Sequence, residues 1–492
     1  MEKESRYTAR TAVDRRNFSP TADAPPQNMA SHDPRGLVDT TKGEINEESA
    51  RLCRELSAGT LSTSLTELSL KKAGLTTLPP QIGALAALRK LDVGFNALST
   101  LPSEISNLTS LRIFFALGNA FESIPTVMGA LPSLYMMSFK SNRLTHIPEE
   151  ALAPSVEWLI LTDNKLTALP KSIGRLSGLK KCMLSNNKLA ALPDEIVRCR
   201  QLELIRLADN NLAALPDGFL SLPALAWLGL AGNPCCAGAG DGAAAAPTTK
   251  WVPLDELDVH EQLGAGGGGF VHRATWRGGG GETSEVALKI FRDAATVSDG
   301  DPAHEIDVGF ALTHANVIRV LGASPAPKLG LVLELLSLSE WKELGLPPNF
   351  DTCARDTYPP DAAFATDHAL RTLRGVAAAC AHLHAKGFTH GDLYAHNTLI
   401  ESATGEAKVG DFGAAYRYSP LGKGASQLIE KIEVRAFGCM AEELLDHLAT
   451  PVEEAEPLAM ELIPLVAQCM QPEVSTRPSF AVIVEMLAAV SA

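Results

Sequence analysis

The 492-residue chain has no apolar run of membrane-spanning length. Its longest candidate, FAVIVEMLAAV at 480–490, is short and carries Glu485. A bilayer crossing needs about 20 apolar residues, so no integral membrane segment is expected. The opening MEKESRYTARTAVDRR has no apolar core and does not read as a secretory signal. The nine cysteines, at 53, 182, 199, 235, 236, 353, 380, 439 and 469, form neither a CxxC pair nor a dense framework. A reduced, cytoplasmic chain is the expectation. Without a secretory route, the glycosylation-like triplets at Asn17 and Asn107 carry no weight. Basic clusters are also lacking: residues 251–492 hold 17 Lys+Arg against 33 Asp+Glu. Nucleic acid, bound chiefly by neutralising phosphates, is therefore not an expected partner. What is present is globular: 46% hydrophobic, 20% charged, and long enough for two or three domains.

Residues 1–44 are polar, contain Pro20, Pro25, Pro26 and Pro34 and show no periodicity. They are expected to be a disordered tail. Ile45, Leu52 and Leu56 have helical spacing, which predicts a helical cap over 45–64. A repeat follows. Asn recurs at 96, 119, 142, 164, 187, 210 and 233, and Leu/Ile-Pro pairs from Leu78-Pro79 to Leu215-Pro216 keep the same beat. The unit LxxLxLxxNxLxxLPxxIxxL is nearly unchanged in LKKCMLSNNKLAALPDEIVRC at 179–199. With this period and pattern, residues 65–234 resemble leucine-rich-repeat proteins, as seven full units and one partial unit. A single unit cannot bury its own apolar face, so neighbours must stack. Each short strand sends its Leu side chains inward, the Asn serves backbone groups at the turn, and Pro begins the return.

The residues flanking the inward positions should line the concave face. From the third unit onward they are largely apolar: Ile113, Phe115, Met136, Trp158, Ile160, Met183, Leu204 and Trp227, with Lys181 and Arg206 beside them. A contiguous exposed patch of this kind marks a binding surface. Phe115, Met136, Trp158, Ile160, Met183 and Trp227 are thus the candidate partner-binding residues. The Ala/Gly-rich stretch 235–250 reads as a flexible linker, which leaves the chain's own second half among the possible partners.

That second half carries chemistry. GAGGGGFV reads as GxGxxGxV, placing Gly264, Gly266, Gly269 and Val271. Alone it is a weak motif. It is followed, however, by a strand candidate VALKIF (286–291) and a helix candidate with Glu305. Then come an apolar strand LGLVLELL (329–336), a helix over 369–384, HGDLYAHN (390–397) and DFG (411–413). In this order the motifs resemble the eukaryotic-type, tyrosine-kinase-like protein kinases across 251–492. The implied fold class is an α/β leucine-rich-repeat solenoid followed by a two-lobed α+β protein kinase fold. The resemblance implies ATP and Mg2+ as cofactors and protein substrates as partners. It implies that Lys289 holds the α/β-phosphates and Glu305 anchors Lys289. Asp411 and Asn397 would hold metal, and Asp392 would accept the substrate hydroxyl proton. Gly264, Gly266 and Gly269 would cradle phosphate, Val271 and Ala287 would cover the adenine, and Glu334 and Leu336 would meet its edge.

The departures are equally specific. HRDLKxxN appears as HGDLYAHN: Gly391 replaces an Arg that receives a loop phosphate, and Tyr394 replaces the Lys that touches the transferring phosphate. His396 stands where tyrosine kinases carry an Arg and is a candidate partial substitute. No APE motif follows DFG. Glu433 occupies the place of the Asp in the family's DxWxxG segment, and Arg477, which usually pairs with the APE Glu, is expected to meet Glu430 instead. Two readings stay open: an active, serine/threonine-type kinase whose repeats dock a partner, and a pseudokinase scaffold that binds without phosphoryl transfer.

Overall fold

The computed structural model describes residues 45–237, 249–266, 268–278, 282–292, 300–449 and 457–490. The expected tail, 1–44, and most of the expected linker, 238–248, lie outside the described residues. The first helix, α1 (Glu47–Ala58), starts where the Asn46 side chain accepts from the Ser49 amide at 2.9 Å and stops at the left-handed Gly59. Both devices satisfy groups that a helix end leaves free. It covers the first end of the solenoid core through Leu56.

Eight three-residue strands follow: β1 (Glu67–Ser69), β2 (Lys90–Asp92), β3 (Ile113–Phe115), β4 (Met136–Ser138), β5 (Trp158–Ile160), β6 (Lys181–Met183), β7 (Leu204–Arg206) and β8 (Trp227–Gly229). They form one parallel sheet in sequence order, each stepping one repeat from the last, as in Leu159 opposite Cys182. The central residue of each strand points into the solenoid and is buried, from Leu68 to Leu228. The repeated Asn forms the expected ladder. Asn164 donates to the Phe139 and Leu161 carbonyls at 2.9 and 3.0 Å and accepts from the Leu144 amide at 3.0 Å. Pro79, Pro102, Pro125, Pro170 and Pro193 each precede a short 3-10 turn on the return path. Proline's fixed φ and missing donor suit it to that position.

The second half has two lobes. In the smaller, β9 (Leu257–Ala265), β10 (Gly269–Arg277), β11 (Thr283–Phe291), β12 (Val320–Ser324) and β13 (Gly330–Glu334) form an antiparallel sheet of order β12-β13-β11-β10-β9. Helix α2 (Pro302–Ala311) lies between β11 and β12 in the chain. The larger lobe contains β14 (Trp341–Glu343), α3 (Thr366–Ala385), β15 (Phe388–Thr389), β16 (Thr398–Glu401), β17 (Ala407–Val409), β18 (Tyr416–Arg417), α4 (Lys423–Asp446), α5 (Pro457–Cys469) and α6 (Phe480–Ala489). Among the described residues, no helix is long and apolar enough to cross a membrane.

The concave stripe of the solenoid is not the exposed patch that the sequence suggested. Met136, Trp158, Leu204 and Trp227 are only 1–3% exposed. The residues that cover them belong to the second half of the chain. Met136 and Trp158 pack with Cys353, beside Ile113, Phe115, Ile160 and Phe350. Leu204 and Trp227 join the core of the larger lobe, with Met183 against it. The assignment of these residues to the concave face holds, while their exposure is corrected: 166 and more residues of sequence separate them from their cover.

Candidate active site

The cleft between the two lobes gathers the charged residues that the motifs singled out. Alternation along β11 puts Ala287 and Lys289 on one face. Lys289 Nζ lies 2.6 Å from Glu305 Oε1 on α2 and 2.9 Å from Asp411 Oδ1. Burial disfavours the Lys289 ammonium, but Asp411 and Glu305 outweigh that and raise its pKa. In return, Lys289 holds the Asp411 carboxyl down to about 2. Asp411 adopts the left-handed region, φ 56°, where non-glycine residues are uncommon. Phe412 beside it is buried, its ring 5.0 Å from that of His390, which also bonds the Gly410 carbonyl at 3.0 Å.

The loop 390–397 supplies the other side. Asn397 Nδ2 donates to the Asp392 carbonyl and to its Oδ2, at 2.9 and 3.2 Å. Glu433 on α4 fixes the loop from below, accepting from the Gly391 amide at 2.8 Å and the Thr389 hydroxyl at 2.6 Å. Burial opposes the Glu433 charge, yet hydrogen bonding by His384 and these neighbours keeps its pKa below the usual value.

Gly264 lies near the end of β9, Gly269 opens β10 and Gly266 stands in the turn between them, its amide bonding the Gly269 carbonyl at 2.9 Å. Val271 pairs with Gly264 on one side and Lys289 on the other. A Cβ at Gly268 would stand 3.4 Å from Lys289 Nζ, so the turn reaches over the ammonium. Glu334 ends β13 and Leu336 follows, half-buried. The Glu334 side chain accepts from Lys408 Nζ at 2.8 Å.

His396 Nδ1 is 2.7 Å from Asp356 Oδ1, which holds one of its two ring nitrogens. Burial opposes its charge, but Asp356 prevails and raises the pKa. Arg477 does not meet Glu430. It donates to the carbonyls of Gln471, Lys431 and Pro223 at 2.9, 3.0 and 2.8 Å, while Glu430 accepts from Tyr418 at 2.8 Å.

The residues that the motifs did not assign to this site come from the repeats. Arg206, on β7 and 3% exposed, pairs with the Asp392 carboxylate and donates to the Gly391 carbonyl at 2.6 Å. The Trp227 indole lies flat on Tyr394, ring centres 4.4 Å apart and planes within 5°, and donates to the Leu393 carbonyl at 2.9 Å. The only sequence signal for these contacts was the presence of both residues on the inferred concave face.

The comparisons agree with the architecture. Residues 257–449 match the family described as protein tyrosine and serine/threonine kinase, and residues 154–212 and 177–234 match leucine rich repeats. A putative serine/threonine-protein kinase/receptor of Acanthamoeba polyphaga mimivirus is 32% identical over 168 residues, covering 33% of this chain and 9% of that protein. A probable serine/threonine-protein kinase of Dictyostelium discoideum is 30% identical, covering 34% and 12%. A human non-receptor tyrosine-protein kinase is 33% identical, covering 35% and 24%. The chain thus spans about a tenth of the length of the first two relatives. The chain thus carries leucine-rich repeats in its first half and, in its second, a region that matches the protein tyrosine and serine/threonine kinase family.

Proposed function

We propose that the chain is an ATP-dependent protein kinase of serine/threonine type, built from repeats over 65–234 and a kinase domain over 251–492. The observation that carries this reading is the assembled triad of Lys289, Glu305 and Asp411, with Asp392 and Asn397 across the cleft. Phosphoryl transfer depends mainly on positioning and charge neutralisation. In this reading Lys289 holds the α/β-phosphates and Glu305 orients Lys289. The amides around Gly264, Gly266 and Gly269 close on the phosphates, while Val271 and Ala287 pack on the adenine. Glu334 and Leu336 present backbone groups to its edge. The donor set of one carboxylate, Asp411, and one amide, Asn397, suits Mg2+, which favours oxygen ligands and shares its shell with substrate phosphates. The metal would supply charge neutralisation between those phosphates. Asp392 accepts the proton of the protein hydroxyl. The nine free cysteines suit a reducing, cytoplasmic setting.

The pseudokinase reading keeps two observations in its favour. Tyr394 stands in place of a cation beside Asp392, and Asp392 itself is paired with Arg206. Transfer of labelled phosphate from ATP to a generic protein substrate, followed by phosphoamino-acid analysis, decides between the two. Lys289→Met and Asp411→Asn should each cut the rate by at least about 100-fold, the usual effect of losing one charge-stabilising group. A wild-type chain that binds ATP and transfers nothing is a scaffold.

A further inference from the structure

The two departures in HGDLYAHN fall at the two places where the repeats touch the catalytic loop. Gly391 has φ 71°, a region that favours glycine, and an added Cβ would meet the Ala414 carbonyl at 2.5 Å and the Leu228 carbonyl of β8 at 3.1 Å. An Arg at this position would strike both the loop and the solenoid. Tyr394, in the usual place of a Lys, is the residue on which Trp227 stacks. Between them Arg206 takes the Asp392 carboxylate and the Gly391 carbonyl. The loop sequence and the concave face therefore fit each other, residue by residue.

The contact continues on both sides. Phe350, ahead of α3, packs its ring 6.2 and 6.1 Å from Phe115 and Trp158, and the Tyr135 hydroxyl reaches the Phe350 carbonyl at 3.4 Å. From the large lobe, Arg435 and Arg477 grip the carbonyls of Ala224 and Pro223, at 3.1 and 2.8 Å. Meanwhile the Lys289–Glu305 pair is intact and the Asp411 side chain remains 48% exposed. The face turned to nucleotide is assembled, and the face where a protein would approach Asp392 is covered.

We propose that the concave face of the repeats is an intramolecular gate, in which Arg206 and Trp227 occupy the approach of a protein hydroxyl to Asp392. The gate rests on the kinase reading above: it governs access to the same base. In the closed chain the guanidinium pairs with the Asp392 carboxylate and donates to the Gly391 carbonyl, so the base is unavailable to a substrate proton. A protein substrate gains the loop only when the repeats leave it. ATP binding does not require that movement.

The full-length chain tests this with Arg206→Ala and, as an independent break in the same interface, Trp158→Ala. Each should raise the initial rate of phosphate transfer to a generic protein substrate at least about tenfold, the scale on which loss of an interface anchor shifts an equilibrium. ATP affinity should stay within about twofold. Closure is read separately from chemistry by hydrogen exchange of amides 390–397. Exchange should quicken in Arg206→Ala and also in Arg206→Ala combined with Lys289→Met, which transfers no phosphate. Faster exchange with an unchanged rate overturns the gate alone. A fall in rate at unchanged ATP affinity also overturns it and makes Arg206 the cation that Tyr394 does not provide. Unchanged exchange overturns the clamp itself. Faster exchange without transfer from any variant, wild type included, refutes the kinase reading and the gate with it.

Discussion

The two faces of the solenoid sheet are buried for different reasons. Leu159, Cys182 and Ile205 point inward and are covered by neighbouring repeats. Trp158, Leu204, Arg206 and Trp227 stand one residue away on the same strands and are covered by the kinase lobe. The first burial is local: it follows from a period of about 23 residues and would be present in the repeats alone. The second depends on docking two folded parts. Equal burial therefore conceals unequal dependence, and substitutions on the two faces should separate them.

The largest expected effect is on the inner face. Leu184→Ala removes a fully buried side chain and should lower stability by about 2–5 kcal/mol, read from urea unfolding. Retention of wild-type stability would mean that the inward register is not what holds the solenoid. Asn164→Ala comes next. It leaves the Leu144 amide without its acceptor and removes one of two Asn donors from the Phe139 and Leu161 carbonyls, which keep Asn142 and Asn187, and should cost about 1–3 kcal/mol in the same measurement.

On the outer face, Trp158→Ala should weaken docking by about 2 kcal/mol while leaving the unfolding of the repeats cooperative. Far-ultraviolet circular dichroism during a thermal melt would report the solenoid, and limited proteolysis would report the docking. If Trp158→Ala disrupts the repeats as badly as Leu184→Ala, the distinction between the faces collapses.

The smallest effect is a pH dependence. Burial raises the pKa of Glu203, just before β7, although Arg355, Lys180 and Arg435 face it and oppose the shift, while Glu157 adds to it. A raised folded-state pKa means that the folded chain holds this proton more tightly than the unfolded chain. The stabilisation is full below the ordinary carboxylate value and is lost as pH rises through the raised one. Stability measured from pH 4 upward should therefore decline more in wild type than in Glu203→Gln. Parallel curves would show that Glu203 keeps an ordinary pKa in the folded chain.

Much of this was legible from local pattern. The Asn ladder needs one residue type at one spacing, and the period alone locates it. The inward Leu positions follow from strand alternation. Lys289, Glu305, Asp392, Asn397 and Asp411 were found because their order along the chain matches a known set of motifs, and the fold brings Lys289, Glu305 and Asp411 into contact. The partner of Arg477 was misjudged because a carboxylate was sought, whereas three backbone carbonyls satisfy the guanidinium. The Asp356 partner of His396 went unnoticed because, 40 residues earlier, it has no motif to announce it.

The sequence by itself determined the repeat register, the concave stripe and the order of the charged residues that meet in the cleft, because each rests on periodicity or on motif order. Tertiary structure alone decided what lies on that stripe. Arg206 and Asp392 are 186 residues apart, and no period links them. Their pairing depends on the shapes of two finished domains, and only when those meet do Gly391 and Tyr394 become intelligible as the places where the repeats need room and a flat ring.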